Sequence, residues 1–318
     1  MKLALIHSCL IFALTIGVDA LAAPINKNNL LVTSFDNGTL TEYTRSGQAV
    51  QSFQLPDFSG GFHDLRGVTQ GTDGLLHMYN GTFTPRLSTL DARTGQVVSN
   101  LSLAGWSTVN NISYGGIARN GSSVFATDMM TYGGGEASGI VAFDLQSGQA
   151  RRFANGREYT DLSMGKDGLL YATNGYSIDV YDPHNSNWLR SVQLQGYADV
   201  RGISVDQRGQ IFTADWNGWL SKFSTSGQLL GHTYVGNNLT DIDLGQNGEL
   251  VAGSRFGDVF LTDSNFSQVT SFHAGNNSWG PTLHVAFAAA PVPEPETWAL
   301  FGIGLLGVAA FVKRRQPL

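Results

Sequence analysis

A glycine turn followed by a short apolar run recurs through the middle of the chain. It reads Asp73-Gly74-LLHMYN, Asn120-Gly121-SSVFATD, Asp167-Gly168-LLYATN, Arg208-Gly209-QIFTAD and Asn247-Gly248-ELVAGS. These glycines lie 47, 47, 41 and 39 residues apart. A second turn follows in most units: Ser46-Gly47-Gln48, Thr94-Gly95-Gln96, Ser147-Gly148-Gln149 and Ser226-Gly227-Gln228. Between the turns lie alternating segments such as IVAFDL (140–145) and WLSKFS (219–224). Asn-Gly, Asp-Gly and Ser-Gly between such runs are hairpin turns, because glycine accepts positive φ without steric cost. Four short strands in each 40 to 47 residues is the period of a propeller blade. A β-sandwich is the alternative, but it does not call for turns paired so regularly.

Complete units begin near Leu65, Tyr114, Tyr159, Val200 and Leu239. The first unit, from Asn29 to Leu55, supplies three strands, LLVTSF, TLTEYT and AVQSFQL, and lacks an innermost one. Leu283-His284-Val285-Ala286-Phe287, after the last full unit, supplies it. The expectation is an all-β, six-bladed propeller, with a C-terminal strand completing the first blade and removing two open edges. The segment QIFTADWNGWLSKFSTSGQLL (210–230) resembles an NHL-type repeat, and the other units match more loosely.

Composition narrows the function. Only 14% of residues are charged, and the net charge of −6 comes with no basic run inside the chain, so a nucleic-acid partner is not expected. The single cysteine, Cys9, lies in the N-terminal apolar segment. Lys2, the apolar stretch Leu3 to Val18, and Ala20-Leu21-Ala22 read as a secretory signal over residues 1–22, a helix removed by the export machinery. The mature chain would then have no thiol, which excludes disulfides, cysteine-zinc sites and a cysteine nucleophile.

The other end is read as a tail over 291–318, leaving 23–290 for the propeller. Pro291 to Thr297 is a stiff, extended, Pro-rich stretch containing Pro293, Glu294 and Pro295. Residues 298–312, WALFGIGLLGVAAFV, carry no charge, and Lys313, Arg314 and Arg315 follow. Fifteen residues give about 22 Å of helix, short against a hydrocarbon core of about 30 Å. The basic cluster would hold its end in the cytoplasm. In order and position these parts resemble the PEP-CTERM sorting signal of Gram-negative bacteria, also catalogued as an ice-binding-protein C-terminal domain, a label that describes only the tail. The resemblance covers the last 26 or so residues. It implies recognition by an exosortase, a membrane anchor before processing, a surface or extracellular destination, and an association with exopolysaccharide.

In a propeller, the start of the innermost strand and the end of the second strand open on one face. Two columns of residues fall there. The first is Arg66-Gly67, Gly115-Gly116, Thr160-Asp161, Arg201-Gly202, Thr240-Asp241 and Leu283-His284, and the second is Ser34, Asn80, Asp128, Asn174, Asp215 and Ser254. Arg66, Asp161, Arg201, Asp215, Asp241 and His284 are the candidate channel or ligand residues. The Asp and Asn side chains are oxygen donors of the kind that binds Ca²⁺. In this they are similar to the carboxylate-and-amide metal site of six-bladed lactonases of the gluconolactonase family. The Glu expected near the start of the first blade in that family has no match here. The competing expectation is that Asp and Asn end strands by bonding their own backbone, with Arg66 and Arg201 neutralising Asp161 and Asp241.

No G-x-S-x-G, H-E-x-x-H or G-x-x-x-x-G-K-[ST] pattern occurs. Aromatic rings stand among small polar residues in segments of the same face, with Trp106 and Trp279 the candidates for stacking on sugars. The resulting expectation is an exported, non-enzymatic binding or matrix protein, with no metal or other cofactor required. A Ca²⁺-dependent lactonase-like hydrolase and a purely structural matrix component are the alternatives.

Overall fold

The computed structural model describes residues 24–35, 38–55, 65–71, 73–80, 85–104, 115–128, 138–196, 199–274 and 282–289. They form six four-stranded antiparallel sheets, the six blades of a propeller, and not the two sheets of a sandwich. Blade 1 joins Leu283–Phe287 to Leu30–Ser34, Thr39–Tyr43 and Ala49–Gln54. Blade 2 runs Leu65–Gln70, Leu75–Asn80, Arg86–Asp91 and Gln96–Leu101, and blade 3 runs Ile117–Asn120, Ser123–Asp128, Gly139–Asp144 and Ala150–Phe153. Blade 4 comprises Asp161–Met164, Leu170–Thr173, Ser177–Tyr181 and Trp188–Gln193. Blade 5 comprises Val200–Val205, Ile211–Asp215, Trp219–Phe223 and Leu229–Tyr234. Blade 6 comprises Leu239–Leu244, Glu249–Ser254, Asp258–Asp263 and Thr270–His273. The signal segment 1–22 and the apolar stretch 298–312 lie outside the described residues, among which no helix is long and apolar enough to cross a membrane.

The repeat glycines do what the turns require. Gly168 and Gly227, for example, have φ of +83° and +84°, where a Cβ is disfavoured. The closing strand pairs along its whole length, from Leu30 opposite Phe287 to Ser34 opposite Leu283. That pairing ties a C-terminal strand and the N-terminal strands into one sheet and covers the inner edge of Leu30–Ser34, which would otherwise be open.

Each blade packs on two neighbours, so its strands are apolar on both faces. Leu30 and Val32 pack with Val251, Leu283 and Val285 at the junction of blades 6 and 1, whereas Leu31 between them packs with Leu65 and Leu76 toward blade 2. Six such clusters occur among the described residues, one at each junction. This explains the continuous apolar runs of the inner strands: Leu30–Ser34 and Ile211–Asp215 are buried throughout, while the outermost Trp188–Gln193 is mostly exposed. Burial of this apolar surface is the main force holding blade to blade.

Candidate functional site

The six innermost strands surround a central cavity of about 210 Å³. Side chains two apart on one strand share a face, so alternate residues point inward. Thr69, Ser163, Ser204, Asp241 and Asp243 are among the polar residues that line it, with Lys166 as well.

The carboxylates here are staples between blades. Asp161 accepts the Leu162 N–H at 2.8 Å on Oδ1 and the Ile203 N–H of blade 5 at 2.7 Å on Oδ2. Asp241 repeats this with Ile242 and with Val285 of blade 1, both at 2.8 Å. Asp243 binds Leu244 and Phe287 in the same way, again at 2.8 Å. Thr160 and Thr240 add a second kind of staple, their hydroxyls donating to the Val200 carbonyl at 3.1 Å and the Leu283 carbonyl at 2.5 Å. Where the first column has glycine the backbones close in instead. A Cβ on Gly116 would stand 2.5 Å from the Leu162 nitrogen and 2.6 Å from the Asp161 Cα.

Burial raises all three carboxyls above the ordinary carboxylate range. Asp161 goes well above it, through burial first and the nearby Asp241 charge second. Burial takes Asp241 to about 7, and it raises Asp243 against the pull of two N–H bonds and Lys166. His284 is buried, with Nδ1 3.8 Å from Asp241 Oδ2.

The second column ends strands. Asp215 Oδ1 accepts the Trp219 N–H at 2.9 Å, Asn174 Oδ1 the Ser177 N–H at 2.9 Å, and Ser254 Oγ the Asp258 N–H at 2.9 Å. These are the local side chain-to-backbone turns that Asp, Asn and Ser favour. Asp128 instead pairs with both Arg152 Nε at 2.7 Å and the Arg152 terminal nitrogen at 2.5 Å. Asp128, Asp161, Asn174, Asp215 and Asp241, the candidate Ca²⁺ donors whose side chains are described, are therefore committed to separate partners. Asp161 and Asp241 each direct both oxygens at backbone N–H groups, and no three His, Asp, Glu or Cys side chains among the described residues form a metal-holding group. These residues do not fit a resident Ca²⁺.

Arg201 has a carboxylate partner in Asp199. The Arg201 guanidinium lies 2.5 Å from Asp199 Oδ1 and over the Trp216 ring at 5.0 Å, and Asp161 and Asp241 accept from backbone N–H groups of the next blade. Arg66 lies over the rings of Phe35 and Tyr79, at 5.8 and 5.9 Å. Trp106 and Trp279, with the sorting residues Pro293, Glu294, Pro295, Lys313, Arg314 and Arg315, fall outside the described residues.

Above the channel, a run of backbone hydrogen bonds forms a rim over blades 5, 6 and 1. The Trp216 N–H binds the Asp199 carbonyl at 3.0 Å, the Asn238 N–H the Trp216 carbonyl at 2.9 Å, and the Arg255 N–H the Asn238 carbonyl at 2.8 Å. The Thr282 N–H then binds the Arg255 carbonyl at 3.0 Å, and the Phe35 N–H the Thr282 carbonyl at 3.3 Å. Asp199 and Asn238 take left-handed φ values of 68° and 60°, which their side chains tolerate. Thr282, β-branched, has φ of 28°, an outlier for such a residue. The rim residues Trp216 and Arg255 were missed by sequence reasoning. They stand one position beyond Asp215 and Ser254, so extending the second column by one residue finds them. Asp243 was missed too, although the alternation in Asp241-Ile242-Asp243 marks it.

Two comparisons with known proteins bear on this architecture. No curated protein matches the chain at a significant level. Residues 291–315 match the PEP-CTERM protein-sorting motif. The chain carries this motif next to its six-bladed propeller, which implies an exported protein that an exosortase sorts to a surface or extracellular location.

Proposed function

We propose that this protein is an exported, non-enzymatic binding propeller whose rim engages extracellular polysaccharide, with an N-terminal signal removed near Ala22. The observation that carries this reading is the use of the channel carboxylates. Asp161, Asp241 and Asp243 give their oxygens to backbone N–H groups that join one blade to the next. A general acid or base needs a carboxylate within reach of substrate, and a Ca²⁺ site needs six to eight oxygens turned to one point. Committed to joining one blade to the next, these groups favour a rigid ring presenting its rim over a metal-dependent hydrolase. The sorting motif supports the reading through the surface or extracellular destination it implies, where polysaccharide would be met.

Melting curves with and without a chelator, run alongside a lactone turnover assay, test the reading. A protein with no Ca²⁺-dependent chemistry keeps its melting temperature within error on chelation and turns over no lactone. A clear stabilisation by Ca²⁺, as expected for a ligand bound only to the native state, together with lactone turnover lost in Asp161→Ala or Asp215→Ala, overturns it in favour of the hydrolase.

A further inference from the structure

The rim between blades 5, 6 and 1 holds a guanidinium with no anion on it among the described residues. Among them Arg255 makes no ion pair and no side-chain hydrogen bond. Its charged end lies over the rings of Trp216 and Phe256, 5.9 Å from each centroid, and its buried Nε–H has no acceptor. Arg201, which also lies over the Trp216 ring, differs in having Asp199 as a partner. The carbonyl of Arg255 takes the N–H of Thr282, a residue with 0% exposure whose hydroxyl also has no partner. Buried polar groups in native proteins are normally satisfied, and a donor left without an acceptor costs about 1–3 kcal/mol. Phe256, beside this charge, is 51% exposed. A cation with no ion pair among the described residues, next to an open aromatic face, is complementary to a ligand that combines a carboxylate with a flat apolar side.

We propose that Arg255 and Phe256 form a subsite for an acidic pyranose unit, with the guanidinium holding the sugar carboxylate and the phenyl ring stacking on the C–H face of the sugar. This rests on the polysaccharide-binding reading above and names the ligand class for it. Guanidinium–carboxylate bonds are charge-assisted and about twice as strong as neutral ones, so the site would separate acidic from neutral sugars. Held against Trp216, the Arg255 side chain is ordered before a ligand arrives, which lowers the entropy cost of binding.

The test uses the exported protein, calorimetry, and three probes: an oligogalacturonate, the same oligomer with its carboxyls reduced to alcohols, and polyglutamate. The oligogalacturonate is expected to bind about tenfold or more tighter than its reduced form, a difference that shrinks as NaCl is raised. Arg255→Gln should abolish that difference, and Phe256→Ala should weaken both sugars. Circular dichroism melting confirms that each variant is folded. Equal binding of acidic and reduced oligomers, or discrimination that survives in Arg255→Gln, overturns the subsite and leaves the polysaccharide reading standing. Polyglutamate binding as tightly as the oligogalacturonate overturns the sugar assignment. Failure of both oligosaccharides overturns the subsite, and failure of a broad neutral and acidic glycan panel as well removes the polysaccharide reading.

Discussion

Asp241 binds one N–H of its own strand and one of blade 1, and so closes the ring at the junction where the chain ends meet. Replacing it with alanine deprives two buried N–H groups of their acceptor, at about 1–3 kcal/mol each where no water replaces it. Asp241→Ala is expected to lose about 2–6 kcal/mol in denaturant unfolding; a loss below the error of the method would show that the staple does not hold the ring. Its titration gives a second prediction. With a folded-state pKa raised by burial to about 7, the native state binds more protons than the unfolded chain. The Asp241 contribution is fully present below the ordinary carboxyl pKa and is lost as pH rises through about 7. His77 runs the other way. Burial, then the Arg119 charge, lowers it to about 4, so its contribution is lost as pH falls from 6.5 toward that value. The readout is therefore a difference: wild type minus Asp241→Asn should be more favourable at pH 4.5 than at pH 8, and an equal difference at both would contradict the shift. The first column of residues was legible because the repeat aligns it. The use of Asp161 and Asp241 as staples was not, since a carboxylate facing a channel and one facing the next strand have the same sequence signature. Gly67 and Gly116 were equally opaque: aligned in the same column, they prove to be places where one blade's backbone presses on the next.

At the scale of the strand, the sequence was most informative. Turns at a near-constant spacing need only local chemistry, and the three-strand first unit left one strand to be supplied. Leu283–Phe287 fills that place, with Leu283 and Val285 buried against Leu30, Val32 and Val251. Deleting residues 282–288 should therefore lower the melting temperature by more than about 10 °C or prevent folding, because several kcal/mol are lost and each is worth about 2–4 °C in a domain of this size. Deleting everything after residue 290 should change it by less than about 2 °C, a shift of under 1 kcal/mol. Equal effects from the two truncations would contradict closure by the last strand. Which rim side chains come together was harder to read, because Arg255 and Thr282 meet through a backbone bond between blades that no local pattern encodes.

For the whole molecule, the ring and the sorting motif divide the work. The ring is closed by residue 289 through the blade 1 sheet and the Ala289 N–H bond to Gln70 at 2.8 Å, ahead of the matched tail at 291–315. Processing close to Pro293–Pro295 is expected, and mass spectrometry of the protein recovered from cells containing an exosortase should find a C-terminus there; a chain still ending at Leu318 would reduce the tail to a plain anchor. The tail was legible because its order of motif, apolar run and basic cluster is specific as a combination. The ligand was not, since one rim can present many surfaces and Trp106 and Trp279 lie outside the described residues. The most direct measurement of the central claim, that this propeller binds glycans rather than transforming a substrate on Ca²⁺, is a glycan-binding panel on the exported protein run in Ca²⁺ and again in chelator. Binding of extracellular polysaccharide with the same affinity in both conditions is the predicted result. Absence of glycan binding, or binding and turnover that appear only with Ca²⁺, would contradict it.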